Sequence, residues 1–161
     1  MLTLYHAGTQ KIEHPLVKIG RPNLDFGQGF YLTNLYEQAE RWAVRVSRQR
    51  FEHGIINVYT MDMLIVCCHF RYLRFEHYDK EWLDFIVGSR LGREPWADFD
   101  IIEGGVANDR VIDTVEGYMA GTIDEQHALN QLAQYAPNNQ ICLLNQQLVD
   151  EYLTFVKIIN L

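Results

Sequence analysis

An α+β domain is the fold class this sequence predicts, and three observations predict it. Stretches rich in β-branched and aromatic residues alternate with amphipathic helical stretches. Their order is irregular, without the strand–helix–strand rhythm of a doubly wound parallel sheet. No Pro/Gly/Ser-rich linker, internal repeat or low-complexity tract divides the 161 residues, so residues 1–161 read as one domain. That length supports a substantial core without metals or disulfides.

The elements follow in order. Residues 2–6 read as a short strand, and residues 8–28 as a long loop marked by Pro15, Gly20, Pro22 and Asn23. Residues 29–33 form a second strand. A helix starts near Asn34, with Glu37 three residues on as in a capping box. Leu35, Ala39, Trp42, Ala43 and Val46 give it an apolar face, and Gly54 ends it. Residues 55–60 suit a strand. A further strand is expected around Phe70–Phe75. Asp79 caps a helix whose core face includes Trp82, Phe85 and Ile86. Phe99–Glu103 reads as a strand ending at Gly104-Gly105. Asn108 or Asp109 caps a helix through Val111, Ile112, Val115 and Tyr118, which Gly121 closes. Asp124 opens another helix, carrying Ala128, Leu129 and Leu132. Pro137-Asn138-Asn139 turns into a strand at Gln140–Leu144, followed by a helix at Gln146–Tyr152 and a last strand at Thr154–Ile159.

Composition excludes several function classes. The most apolar run, Met63 to Cys68, falls far short of the ~20 residues that cross a bilayer. The first residues lack the basic patch and apolar stretch of a signal peptide, so a cytoplasmic protein with no membrane partner is expected. The net charge of −7 argues against nonspecific binding to nucleic-acid phosphates. Cys67, Cys68 and Cys142 do not match metal or redox spacing, and read as core thiols in a reducing compartment. The histidines form no zinc pattern, and no metal is expected. Neither a Gly-x-Gly-x-x-Gly after a strand nor a Walker loop is present, so neither kind of nucleotide site is supported. Arg41, Arg45, Arg48 and Arg50 crowd the first helix and read as a solvated face.

Two segments carry the chemical signal. Phe26-Gly27-Gln28-Gly29-Phe30-Tyr31-Leu32-Thr33-Asn34 opens two spaced glycines into an aromatic strand. Glycine allows close backbone approach to a ligand, and a strand aromatic offers a ring face to a flat one. Leu4-Tyr5-His6-Ala7-Gly8-Thr9 supplies a histidine, a glycine and a hydroxyl after an apolar lead-in. Together these segments resemble the nicotinamide-site segments of the ADP-ribosyltransferase superfamily, in its histidine–tyrosine branch. With Asp100-Ile101-Ile102-Glu103-Gly104 and the late Gln140-Ile141 strand, their order also resembles an uncharacterised bacterial family grouped with that superfamily.

The resemblance implies two packed antiparallel or mixed sheets with flanking helices and a cofactor cleft between them. It implies NAD as substrate, cleaved with transfer of ADP-ribose to a macromolecular or nucleophilic acceptor, protein rather than nucleic acid. A toxin or effector with a neutralising partner protein is consistent with it. On the matching positions His6 holds the nicotinamide-side ribose, and Tyr31 stacks on nicotinamide. Gln140 stands where the superfamily usually has a glutamate. Gly8, Thr9, Phe26, Gly27, Gly29 and Thr33 belong to the cofactor segments, and Arg21, in the loop joining them, is the expected phosphate contact. Glutamine can hydrogen-bond a ribose but cannot usefully accept a proton, a service worth roughly 10²–10⁴-fold. Two rivals therefore stand beside transfer: an inactive module binding NAD, ADP-ribose or protein, and an NAD glycohydrolase. Glu103 is the one nearby carboxylate that can compensate for Gln140.

Overall fold

The computed structural model describes residues 1–107 and 109–161, and of Asp109 only the backbone. Seven strands form two sheets. The first, β1 (Leu2–Gly8), β3 (Ile55–Met61) and β7 (Thr154–Asn160), is antiparallel in the order β1-β3-β7. The second is mixed, in the order β2-β6-β5-β4, from β2 (Phe30–Leu32), β4 (Tyr72–Arg74), β5 (Ile101–Gly104) and β6 (Gln140–Leu143). Only its β4–β5 pair is parallel. The six helices among the described residues are α1 (Tyr36–Arg50), α2 (Met63–His69), α3 (Lys80–Arg90), α4 (Asp109–Met119), α5 (Glu125–Leu132) and α6 (Gln146–Tyr152). The class is α+β with two sheets. No helix among the described residues is long and apolar enough to cross a membrane.

Strand alternation decides the layers, because successive side chains point to opposite faces. Phe30, Leu32, Ile101, Ile141 and Leu143 of the second sheet pack with Leu4, Tyr59 and Met61 of the first, closed by Val66 of α2 and Leu148 of α6. Ile102 and Cys142 face the other way, into Trp82, Leu83 and Ile86 of α3 and the apolar sides of α4 and α5. Ala39 and Ala43 seat α1 on Ile56 and Val58, on the far side of the first sheet. Small residues there let the helix lie close to the strands.

The long loop between β1 and β2 is bolted down by side chains. Asn57, fully buried in β3, accepts from Ile12 N and donates to Gln10 O, both within 2.9 Å. Gln146 of α6 accepts from Val17 N and donates to Pro15 O. Asp25 pairs with Arg90 of α3 at 2.9 Å and accepts from Ala107 N. These bonds satisfy backbone groups that no ladder serves.

Several expectations change. The capping box at Asn34 does not form: Leu35 is the N-cap without a side-chain bond, Thr33 Oγ1 accepts from Leu35 N, and Asn34 Oδ1 accepts from Asn139 Nδ2 instead. Phe51, not Gly54, ends α1, in the left-handed region at φ 56. The apolar run Met63–Cys68 lies in α2, capped by Asp62 through Leu64 N and Ile65 N. Cys67 and Cys68 are accordingly exposed on that helix, and only Cys142 is a core thiol. The cap expected at Asn108 or Asp109 lies outside the described residues. Asp79 and Asp124 cap α3 and α5 as expected.

Gly27 holds φ at +92°, and a Cβ there would lie 2.4 Å from the Trp96 indole. Gly121 holds φ at +75° with nothing within 4 Å. Gly121→Ala should therefore cost only the left-handed backbone penalty of about 1–2 kcal/mol. Gly27→Ala should add an overpacking cost of about 1–3 kcal/mol. Urea denaturation of the two variants checks this, and equal losses would contradict the Trp96 contact.

Candidate functional site

The site begins where the two sheets part. Tyr5 of β1 and Thr33, just after β2, exchange both backbone bonds, Tyr5 N to Thr33 O at 2.8 Å and Thr33 N to Tyr5 O at 3.0 Å. An antiparallel ladder would next pair Ala7 with Tyr31. It does not, and the isolated bridge is the only backbone pairing described between the strands. Tyr31 O instead bonds the His6 ring at Nδ1, 2.8 Å away. A side chain thus closes the place where the ladder stops. Ala7, sharing Tyr5's parity, has its own N–H and C=O on the side away from β3.

This bond fixes the chemistry of His6. A carbonyl oxygen only accepts, so Nδ1 carries the proton. Burial disfavours the charged ring and lowers its pKa below 6.5, against a smaller opposing effect from the bond to Tyr31. His6 is then a neutral imidazole with a lone pair at Nε2. Among the described residues Nε2 has no hydrogen-bond partner, and His6 as a whole residue is half-buried. Phe30 stacks on the ring at 4.5 Å and holds its plane. The arrangement can accept one hydrogen bond from a ligand hydroxyl.

Tyr31 is held at both ends. Its hydroxyl donates to Gly27 O at 2.6 Å and accepts from Phe26 N at 3.1 Å, closing the glycine turn onto its own strand. Burial, with Cys142 beside it, pushes the phenol far up, so Tyr31 is no acid at neutral pH. Burial also raises the Cys142 thiol, which is inert as a nucleophile. Tyr31 as a whole residue is half-buried.

The other expected residues divide. Phe26 is fully buried between Phe75 and Phe85, and Gly27 and Gly29 are buried with it. These three shape the strand. Thr33 is buried and donates to Asn139 O at 2.8 Å. Gly8 follows Ala7 at the gap, with the His6 ring the nearest side chain to its would-be Cβ. Thr9 takes only a long bond from Arg50 and lines a cavity of ≈750 Å³ with His53 and Asn160. Arg21 is exposed and has no hydrogen bond or ion pair among the described residues. The structure does not join it to His6 or Tyr31.

Gln140 opens β6, buried, opposite Gly104 of β5. Tyr31 pairs with Cys142, so Tyr31 and Gln140 share one face of the second sheet, two residues apart in register. His6 reaches the edge of β2 from the opposite face, the side of Phe30. All three are gathered on and beside two neighbouring strands, but not on one face.

A polar hub stands next to Gln140. Asn139 accepts at its carbonyl from Thr33 and Gln38, and its amide donates to Asn34 Oδ1 and Glu103 Oε1 at 2.8 and 2.9 Å. Glu103 also accepts from the Tyr72 hydroxyl at 2.5 Å. Glu103 is buried without an ion pair among the described residues, whereas Asp100 is paired with Arg71 and its carboxyl is pulled down to about 2. An unpaired buried carboxylate is costly unless its lone pairs are filled. Asn139 and Tyr72 were not singled out from sequence. Their bonds to Glu103 span 36 and 31 residues, and no local spacing announces them.

A family profile described as "Protein of unknown function (DUF3990)" matches residues 2–155. The chain belongs to that family. No curated protein and no solved structure matches it.

The depressed pKa of His6 has a pH consequence. As pH falls through 6.5 the unfolded chain takes up a proton before the folded chain does, so the unfolded state binds more protons and folding stability falls. This contribution is full above 6.5 and lost on acidification toward the lower folded value. Removing it with His6→Gln should flatten the decline between neutral and mildly acidic pH by up to about 1.4 kcal/mol per pH unit. Urea titrations at stepped pH measure the slopes. Identical slopes for the two proteins would contradict a buried neutral His6.

Proposed function

We propose that this domain binds NAD at the β1–β2 gap and cleaves its nicotinamide–ribose bond, passing ADP-ribose to a nucleophilic acceptor. The observation carrying this reading is the neutral His6 ring, its Nδ1 spent on Tyr31 O and its Nε2 left as an acceptor beside the Ala7 backbone. A ribose hydroxyl suits Nε2, a carboxamide suits a paired N–H and C=O, and the Tyr31 ring can take a flat heterocycle. The bond from ribose C1′ to the pyridinium nitrogen breaks with its electron pair going to nicotinamide. The acceptor then bonds C1′ and releases its proton. Positioning supplies the rate, since Gln140 cannot take that proton. An acceptor that is already a good nucleophile therefore fits best. A toxin or effector role, with a protein acceptor, follows from the same reading.

Gln140 favours one second reading, an inactive module that retains NAD or ADP-ribose without turnover. NAD labelled in its adenine and nicotinamide parts, incubated with the protein and a cell lysate, separates these. The first reading expects released nicotinamide and label on protein. His6→Ala should lower kcat/KM about tenfold, as for loss of one hydrogen bond of ~1.5 kcal/mol, while Gln140→Glu keeps or raises it. Calorimetric binding of NAD without nicotinamide release supports the second reading. Neither binding nor release overturns both.

A further inference from the structure

The outward face of α1 carries positive charge and an exposed aromatic. Arg41, Arg45 and Arg48 recur at helical spacing on the side away from Ala39 and Ala43. All three are exposed, and among the described residues none makes a hydrogen bond or an ion pair. That is unexpected in a chain carrying −7, where carboxylates are in excess. Glu37 even stands one turn before Arg41 without pairing to it.

Apolar residues continue the same stripe. Val44, beside Arg48 on the wheel, is 37% exposed, and Phe51 at the end is 95% exposed. Phe51 occupies the left-handed region, at φ 56 and ψ 38. A left-handed backbone costs a bulky residue about 1–2 kcal/mol that glycine would avoid. The turn itself is held by backbone bonds, Phe51 N and Glu52 N both donating to Ser47 O, which need no aromatic side chain; the ring, 95% exposed, adds no packing among the described residues. An exposed aromatic in a strained position beside unpaired arginines has the composition of interface anchors.

We propose that this face of α1 docks an acidic protein segment that carries an apolar residue to meet Val44 and Phe51. Charge complementarity selects the partner. The stripe from Arg41 to Arg48 is only about 10 Å long at 1.5 Å per residue, so it matches a short acidic segment. A nucleic acid would extend past it over a surface of excess negative charge, and one aromatic is no stacking platform. The inference does not depend on NAD chemistry.

The probe is a fluorescein-labelled peptide of glutamates around a central tryptophan, titrated by anisotropy, with oligothymidylate of equal length beside it. Saturable peptide binding is expected. It should weaken about tenfold in the combined Arg41→Ala, Arg45→Ala, Arg48→Ala variant and severalfold in Phe51→Ala. These positions are at the surface, so circular dichroism should show the variants folded. Absence of saturable binding, equal binding by the arginine variant, or tighter binding of oligothymidylate would each overturn the proposal.

Discussion

One hydrogen bond sets the shape of the molecule's centre. Among the described residues the two sheets share one backbone bridge, Tyr5 to Thr33, and the pairing stops immediately afterwards. The strand carbonyl exposed at the parting, Tyr31 O, is met by the His6 ring. A carbonyl buried without a donor would cost ~1–3 kcal/mol. The imidazole removes that cost without drawing β1 back against β2. A main-chain bond from Ala7 would have zipped the strands together. The side chain satisfies the acceptor and keeps the gap.

The surrounding elements serve to hold that arrangement. Phe30 stacks on the imidazole, while the Tyr31 hydroxyl ties the Phe26-Gly27 turn to its own strand. Asp25 fixes the same turn to α3 and to the segment after β5. At the other end of β2, Asn139 gathers Thr33, Asn34, Gln38 and Glu103 around one residue. This network uses neutral amides for most of its bonds, so its cost of desolvation is smaller than that of ion pairs. It places Gln140 at the mouth of β6, and it fills the lone pairs of Glu103 with two donors. Both ends of a three-residue strand are thereby rigid.

Much of this was legible in the sequence where the cause was local. Asp79 and Asp124 cap helices as read because their side chains have no stronger competing partner. The Asn34 box failed because a tertiary partner, Asn139, took the side chain that would have capped the helix. α2 was invisible as a helix because its six consecutive apolar residues, Met63–Cys68, carry no usable period. The C-terminus of α1 was misplaced because an aromatic, not a glycine, adopts the left-handed turn. At the candidate site the motifs singled out His6 and Tyr31, and the structure joins them by the bond from the His6 ring to Tyr31 O. The burial of Phe26, Gly27, Gly29 and Thr33 was not legible, since their contacts with Trp96, Phe75 and Asn139 depend on residues distant in sequence.

The tautomer and protonation of one imidazole decide whether an acceptor is present beside Tyr31 O. Long-range proton–nitrogen NMR of the His6 side chain reads both directly. A neutral ring protonated at Nδ1, with Nε2 bare and titration beginning only below the ordinary value of 6.5, is the result the structure requires. A ring protonated at Nε2, or one that titrates like a free histidine, would mean that Tyr31 O is not held by His6 and that no acceptor faces the gap.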